Sequence, residues 1–358
     1  MEQRAADDAA ADEGTERGAP PAGPDGRHAQ GVFQIPLPAW RAILTRTAAD
    51  FGRNNISLIA GGAAFFLLLA IFPGIAAFVA LYGLVFDVTA VQSHVAALSG
   101  VLPDTAVDLV TEQLSRLASQ DQSTLSVGFL VGILVALWSA NAGVKALFSA
   151  MNVVYGEEEK RGFFTLTLVS LAFTLAAILA AAVLISAIVV VPVVLGHIGL
   201  GGRGEAAVAM VRWPSLFVVL MAGLSLLFRY GASRRPPRLR WVLWGSVLTA
   251  FLWVVASAAF SFYLANFANY NATYGSLGAV IGFMMWLYVS MIIILLGAQL
   301  NAEVEHQLVT DTTVGPQRPL GARDAVVADL VAKGRSGKGA SISERFGNLR
   351  RKLTHQQR

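Results

Sequence analysis

Five stretches of the chain contain no Asp, Glu, Lys or Arg, and they dominate its pattern of polar and apolar positions. They run over residues 54–86, 122–144, 162–202, 213–228 and 241–302. About 20 apolar residues in a helix cross the hydrocarbon core of a bilayer. The last stretch is long enough for two such helices, and its polar interruption at residues 266–274 marks the turn between them. The sequence therefore predicts six spans, at about 56–86, 125–147, 164–195, 213–231, 241–265 and 276–300.

The first predicted span is the best candidate for a broken helix. It carries Gly61, Gly62 and the pair Pro73-Gly74, and a proline inside a helix removes one backbone hydrogen bond. Transporters often place an interrupted helix at their substrate site. A static kink is the more common outcome.

Two pairs of glycines predict where helices approach each other closely. Gly128 and Gly132 lie in the second span, and Gly278 and Gly282 lie in the sixth. Small residues four positions apart let helix backbones come together in lipid. We therefore expect contact between these two spans.

The basic residues lie in one set of loops and leave the alternate loops nearly free of them. Arg41, Arg46 and Arg53 precede the first span, and Lys160 and Arg161 separate the second from the third. Five further arginines lie between the fourth and fifth spans, at positions 229, 234, 235, 238 and 240. Loops rich in Lys and Arg stay in the cytoplasm. Because the number of spans is even, the sequence predicts that both termini are cytoplasmic.

The segments outside the spans predict two tails and one loop helix. Residues 1–35 are rich in Ala, Gly, Pro and acids, which predicts a disordered acidic tail. Residues 36–307 form the six-helix transmembrane domain, and residues 308–358 form a basic cytoplasmic tail. Four apolar residues of the outer loop recur at helical spacing: Val107, Val110, Leu114 and Leu117. They predict an amphipathic helix that either caps the outer face of the bundle or gates a substrate.

The predicted fold class is thus an all-α integral membrane protein, a six-transmembrane-helix bundle with an amphipathic extracytoplasmic loop helix and disordered tails. The composition agrees, because 55% of the residues are hydrophobic and 14% are charged, against about 25% charged in soluble domains. The chain has no cysteine, and its five histidines are scattered. Gly337-Lys338 lacks the Ser or Thr that completes a phosphate-binding loop. The sequence therefore predicts no catalytic residue, no metal site and no cofactor.

Polar side chains inside the spans or at their ends are the candidate substrate path, because polar groups are costly in lipid. The helix rise places Asn141 and Lys145 of the second span, and Gln299 and Glu303 of the sixth, toward the cytoplasmic end. We predict that these four residues and Asn301 form a polar vestibule open to the cytoplasm. In the alternative, Lys145 merely extends to the interface and Glu303 lies beyond it. The remaining candidates are Asn55, Pro73, Asn152, Tyr155 and Tyr274.

Clusters of arginine predict contact with membrane lipids. The segment 306–358 carries ten basic residues and four acids, a balance that suits anionic lipid headgroups. A nucleic acid and plain solvation are the competing interpretations. The adjacent membrane favours lipid, so no nucleic-acid partner is predicted. The headgroup candidates are Arg234, Arg235, Arg238, Arg240, Arg350 and Arg351.

Three segments resemble a known family. Residues 137–156 (LWSANAGVKALFSAMNVVYG), with the basic pair that follows them, and residues 274–303 (YGSLGAVIGFMMWLYVSMIIILLGAQLNAE) resemble the YihY/BrkB family of bacterial inner-membrane proteins. Residues 61–73 look like its first span. The resemblance covers residues 41–307 and implies six spans, cytoplasmic termini and the bacterial inner membrane. Gln299 stands where many relatives are expected to have an acid, which argues against a proton-carrying carboxylate there.

The resemblance implies envelope roles and a part in lipid or solute transport. It also brings the old label ribonuclease BN, which the residues do not support, because no metal-binding carboxylate cluster or pair of histidines is visible. We therefore predict a transporter or translocase of lipid or of an envelope-related solute, with membrane lipids as partners. A non-transporting membrane scaffold is the alternative. The sequence leaves the oligomeric state open.

Overall fold

The computed structural model describes residues 25–83, 111, 127–197, 201–266 and 278–332. Their secondary structure is helical, apart from a single β-bridge between Pro237 and Thr313. A short 3-10 turn, Val32–Gln34, precedes the helices. The helices are α1 (Leu37–Arg53), α2 (Ile56–Gly83), α3 (Val127–Tyr155), α4 (Phe163–His197), α5 (Gly201–Tyr230), α6 (Leu239–Asn266), α7 (Gly278–Gln307) and α8 (Val326–Asp329).

The helices α2 to α7 correspond in order to the six predicted spans. Five of them are long and apolar enough to cross a membrane, and the apolar part of α5 is the shorter segment Pro214–Tyr230. Apolar side chains also cover their outer surfaces, because Leu58, Leu168 and Phe164 are 71–86% exposed. A soluble protein rarely presents so much apolar surface. The fold is therefore that of a multi-pass membrane protein, as predicted.

Packing places α7 at the centre of the bundle. It contacts α1, α2, α3 and α6, while α4 lies against α3 and α5. The core contains small and large apolar residues from several helices, among them Ala60, Phe148, Met151 and Leu295. Glycine allows two close approaches between α6 and α7, because a Cβ atom at Gly245 would overlap Asn301 and one at Gly297 would overlap Thr249.

The first span is not broken. The helix α2 continues through Pro73 from Ile56 to Gly83, so the expectation of an interrupted helix at Pro73-Gly74 is wrong. Proline at position 73 cannot donate to the carbonyl of Leu69, but α3 packs against α2 on both sides of this point, at Gly143 beside Ala70 and at Ala140 beside Gly74. Packing of this kind lets a membrane helix accommodate a proline.

The parts of the two predicted tails that adjoin the helices are folded onto the bundle. Residues 25–35 pack on the bundle with Ala29 and Ile35 buried, and residues 308–332 do the same with Arg323 only 4% exposed. The hydrogen bond from the Val309 amide to the Arg27 carbonyl joins the two segments. Residues 1–24 and 333–358, and the predicted loop helix except Thr111, lie outside the described residues.

Residues 25–56, 152–163, 229–241 and 299–332 meet at one end of the bundle, which we call the charged end. The helix α1 lies there, and the sequence analysis did not predict it. Its buried residues Ala39, Ile43, Thr47 and Asp50 follow a helical spacing and face the bundle. The helix therefore positions charged side chains against the end of α7.

Candidate functional site

A buried polar cluster joins α1 to α7. It consists of Arg46, Asp50, Gln299, Glu303 and His306, which we call the α1–α7 cluster. Gln299, Glu303 and His306 are separated by four and three residues, so they share one face of α7, and each is at most 3% exposed. The Nε atom of Arg46 donates to Oε2 of Glu303 at 2.6 Å. Nδ1 of His306 lies 3.5 Å from the same carboxylate oxygen.

Several polar atoms of this cluster have no hydrogen-bond partner within the protein. They are both side-chain polar atoms of Gln299, Oε1 of Glu303 and both ring nitrogens of His306. Each unsatisfied buried polar group costs about 1–3 kcal/mol. A stretch of such groups on a membrane-spanning helix is the expected mark of a functional site. Among the described residues, no group of three or more His, Asp and Glu side chains is arranged to hold a metal ion.

Asp50 lies at the edge of this cluster, outside the candidate spans, and is 4% exposed. Burial raises the pKa of its carboxyl group to about 7, and the neighbouring carboxylate of Glu303 adds to this shift. Two carboxyl groups that share a site cannot both ionise easily. Asp50 therefore releases its proton closer to neutral pH than an exposed carboxyl group does.

A second cluster lies beside it and closes the charged end. NH1 of Arg234 donates to Oε2 of Glu305 at 2.8 Å, with the two side chains 1% and 5% exposed. The guanidinium of Arg234 also lies 4.1 Å from the ring centre of Tyr155. The hydroxyl of Thr312 donates to the other oxygen of Glu305. This cluster connects α3, α7 and the folded C-terminal segment.

The loop between α3 and α4 is held by ion pairs and hydrogen bonds. Asn152 accepts from the backbone of Ser233 at 2.7 Å and donates to Glu159 at 2.9 Å. Arg161 binds both oxygens of Glu159 at 2.7 Å. Burial alone would raise the pKa of Glu159, but the bonds from Arg161 and Asn152 lower it to about 2. Glu157 accepts from the backbone of Val326 and so fixes α8 to this loop.

The predicted vestibule residues do not share one set of contacts. Nζ of Lys145 donates to Thr167 at 2.9 Å and lies 5.2 Å and 5.3 Å from the ring centres of Trp138 and Phe163. Asn141 is 1% exposed and accepts from Thr174. These contacts run between α3 and α4, whereas Glu303 pairs with Arg46 of α1. Lys145 and Glu303 therefore belong to separate polar groups.

The other substrate-path candidates have local roles or lie elsewhere. Asn55 forms the turn between α1 and α2 with a positive φ of 50°, a conformation that Asn tolerates better than most residues. Asn152 stabilises the loop between α3 and α4, and Tyr155 packs against Arg234 in the second cluster. Tyr274 lies outside the described residues.

Only one described headgroup candidate is well exposed. Arg234 is buried against Glu305, so it cannot reach a lipid headgroup, and this prediction is wrong. Arg235 and Arg238 are half-buried and donate to carbonyls of the C-terminal segment. Arg240 is exposed, and its guanidinium lies 5.6 Å from the ring centre of Trp241. Arg350 and Arg351 lie outside the described residues.

The sequence analysis missed three members of these clusters: Asp50, Glu305 and His306. It used Arg46 only to assign the cytoplasmic side. The spacing of Ala39, Ile43, Thr47 and Asp50 could have revealed that α1 is a helix with Asp50 on its inner face. Nothing local in the sequence indicates that Glu305 pairs with Arg234, because 71 positions separate them.

An apolar groove of about 300 Å³ lies beside the α1–α7 cluster. The 3-10 turn and α1 contribute Val32 and Trp40, α6 contributes Trp241, Trp244 and Leu248, and α7 contributes Asn301. The indole nitrogen of Trp241 and the side-chain nitrogen of Asn301 are buried without a hydrogen-bond partner. Neither nitrogen is accessible at the groove surface, so the wall of the groove is apolar.

The helices, their apolar surfaces and the buried ionisable residues define an all-α, multi-pass membrane protein. The sequence profile of the family described as "Virulence factor BrkB" matches residues 47–320. The chain belongs to this family, which confirms the resemblance seen in its sequence.

Individual relatives agree with this membership. The chain is 32% identical over 243 residues to YfkH of Bacillus subtilis, a protein named as ribonuclease-like, and the match covers 67% of this chain and 86% of YfkH. It is 24% identical over 271 residues to a UPF0761 membrane protein of Aromatoleum aromaticum, with 75% of this chain and 65% of that protein covered. A UPF0761 membrane protein of Tolumonas auensis is 25% identical over 262 residues, with 71% and 83% covered. No solved structure matches the chain.

Proposed function

We propose that this protein is a transporter or translocase of a lipid or of another envelope-related solute. The observation that carries the proposal is the row of buried, unpaired polar atoms on α7, at Gln299, Glu303 and His306. Groups of this kind are costly in a membrane helix, and they mark substrate or ion pathways in known transporters. The cluster, rather than the predicted vestibule around Lys145, is the proposed working part.

A proton gradient is the proposed energy source. Asp50 is the proposed proton-exchanging group, because burial raises the pKa of its carboxyl group to about 7. Loss of the Asp50 proton would place a second carboxylate beside Glu303, and the repulsion between the two would favour separation of α1 from α7. Release of α1 from α7 would then expose the unpaired groups of α7 to a substrate.

The proposed location is the bacterial inner membrane, with both termini in the cytoplasm. The arginines at positions 46, 53, 161, 234, 235 and 238 support this orientation, because all belong to the charged end. We propose no ribonuclease activity for this chain. The described residues contain no cluster of His, Asp and Glu of the kind that metal-dependent hydrolysis uses.

Proteoliposomes test the transport proposal. Purified protein is reconstituted with a fluorescent phospholipid, and its movement between leaflets is followed by chemical quenching of the outer leaflet. We expect the wild-type protein to accelerate this movement at least tenfold over empty vesicles, and Glu303→Gln or Gln299→Ala to remove most of the effect. Glu159→Gln is the matched control, because Glu159 is a paired carboxylate at the same end but outside the spans. Equal rates in wild-type and empty vesicles would overturn lipid translocation.

A membrane scaffold is the second candidate function. The ion pair between Arg234 and Glu305 favours it, since this pair fixes the charged end in one arrangement. A scaffold would show no transport in the vesicle assay. Its variants would instead change the integrity of the cell envelope in proportion to their loss of stability.

A further inference from the structure

The apolar groove beside α1 has features of a lipid site. None of its ten lining residues is charged, and it opens beside Trp244 and Leu248, which are 43% and 42% exposed. Both residues belong to the membrane-spanning helix α6. Since an exposed apolar surface on a membrane span faces lipid, the groove opens toward the acyl chains of the bilayer.

Aromatic residues place the groove at the edge of the hydrocarbon region. Trp40, Trp241 and Trp244 line it, and Phe33, which is 81% exposed, packs edge-on against Trp244 at 4.4 Å between ring centres. Tryptophan concentrates where the acyl chains meet the headgroups. The exposed Leu37 and Leu44 of α1 make the same surface apolar on the neighbouring element. The groove therefore lies at the depth of the lipid glycerol esters.

Two exposed arginines border the groove, one on α1 and one on α6. The guanidinium of Arg240 lies 5.6 Å from the ring centre of Trp241, and Arg41 follows Trp40. A phosphate is an anion, so the phosphate of a lipid would complement these positive charges.

We propose that this groove holds one acyl chain of an anionic glycerophospholipid, with the lipid phosphate beside Arg240. The cavity volume is at the lower end of that of ligand sites, which fits part of one chain rather than a whole lipid. The inference does not depend on lipid transport, since a bound lipid could equally support a scaffold.

Native mass spectrometry of the purified protein tests this site. The protein is delipidated in detergent and then mixed with phosphatidylglycerol or with phosphatidylcholine of the same chain length. We expect one phosphatidylglycerol per chain to be retained, at an occupancy at least fivefold above that of phosphatidylcholine. Leu248→Trp fills the groove and should reduce this occupancy at least fivefold. Leu243→Trp is the matched control, because Leu243 is a similarly exposed residue of α6 that does not line the groove.

Arg240→Gln is a milder variant that keeps the apolar wall and removes only the positive charge. We expect it to remove most of the preference for phosphatidylglycerol over phosphatidylcholine, without a change in elution volume. Equal retention by Leu248→Trp and Leu243→Trp would overturn the proposal. Equal retention of the two lipids by the wild-type protein would also overturn it. Neither result would bear on the transport assay, which measures a rate rather than binding.

Discussion

Both side chains of the ion pair between Arg234 and Glu305 are almost fully buried, at 1% and 5% exposed. Removal of one partner leaves the other charge buried and uncompensated, which typically costs 3–5 kcal/mol. We therefore expect Arg234→Leu to lower the free energy of unfolding in detergent by about 3–5 kcal/mol. Arg240→Leu is the control, because its guanidinium also lies on an aromatic ring but is exposed.

The double variant Arg234→Leu/Glu305→Leu separates the ion pair from simple packing. Replacement of both charges by apolar groups is often nearly neutral, so the double variant should be more stable than Arg234→Leu alone. Denaturant titration of the four proteins measures both effects. Equal losses in the single and double variants would mean that packing of Arg234 on Tyr155, rather than charge, stabilises this position.

Asp50 predicts how stability depends on pH. Because burial raises its pKa from 3.8 to about 7, the folded state binds a proton more tightly than the unfolded state. The raised pKa of Asp50 therefore contributes fully to the free energy of unfolding below about pH 4, and this contribution is lost as the pH rises to about 7. Asp50→Asn mimics the protonated acid, so the melting temperature of this variant should fall less between pH 5 and pH 8 than that of the wild type. Parallel curves for the two proteins would contradict the raised pKa.

The crossing of α6 and α7 depends on glycine at two positions. A Cβ at Gly297 would overlap the side chain of Thr249, and such overpacking costs about 1–3 kcal/mol. We expect Gly297→Ala to lower the free energy of unfolding by this amount and Thr249→Ala to restore part of it in the double variant. Gly223→Ala in α5 is the control, because nothing lies within 4 Å of its added Cβ. Equal stability of the two alanine variants would contradict the close crossing.

The folded C-terminal segment depends on Arg323. Its guanidinium donates to the carbonyls of Ala328 and Val309 at 2.7 Å and 2.6 Å. Arg323→Ala would leave these buried acceptors without partners, so residues 308–332 should become sensitive to protease. Arg41→Ala, at an exposed position of α1, should leave the digestion pattern unchanged. Protection of the segment in Arg323→Ala would show that other contacts suffice.

The helices were predictable to different degrees, for physical reasons. Uncharged stretches of sufficient length identify α2 to α7, because each must exclude charge from the hydrocarbon core. The helix α1 was missed because it is short and amphipathic, so its composition does not differ from that of a tail. The expected contact between α3 and α7 is present. Gly132 nevertheless has nothing within 4 Å, and the close approaches between α6 and α7 are at Gly245 and Gly297. Spacing along one helix does not identify which of its glycines face another helix.

The candidate site shows the same limit. Gln299 and Glu303 were identified because polar residues are conspicuous in an apolar helix. Their partners were assigned wrongly, because the helix rise gives depth along a span but not direction around it. Glu303 therefore forms its ion pair with Arg46 and not with Lys145. The sequence predicted which residues are unusual, while the packing of α1 determined which of them lie together.

The arrangement of the whole molecule predicts its orientation in the membrane. The segments 25–35, 156–162, 231–238 and 308–332 all lie at the charged end, as six spans require. From the positive-inside rule we expect this end to face the cytoplasm. The chain has no cysteine, so single cysteines can report sidedness without a background signal.

Gln317→Cys places a thiol at an exposed position of the C-terminal segment. In intact spheroplasts, a maleimide that cannot cross membranes should leave it unlabelled, and detergent should make it reactive. Asn271→Cys, between α6 and α7, is the matched control and should react in intact spheroplasts, because one span separates it from the charged end. The reverse pattern would place the charged end outside. A proton would then reach Asp50 from the periplasm rather than from the cytoplasm.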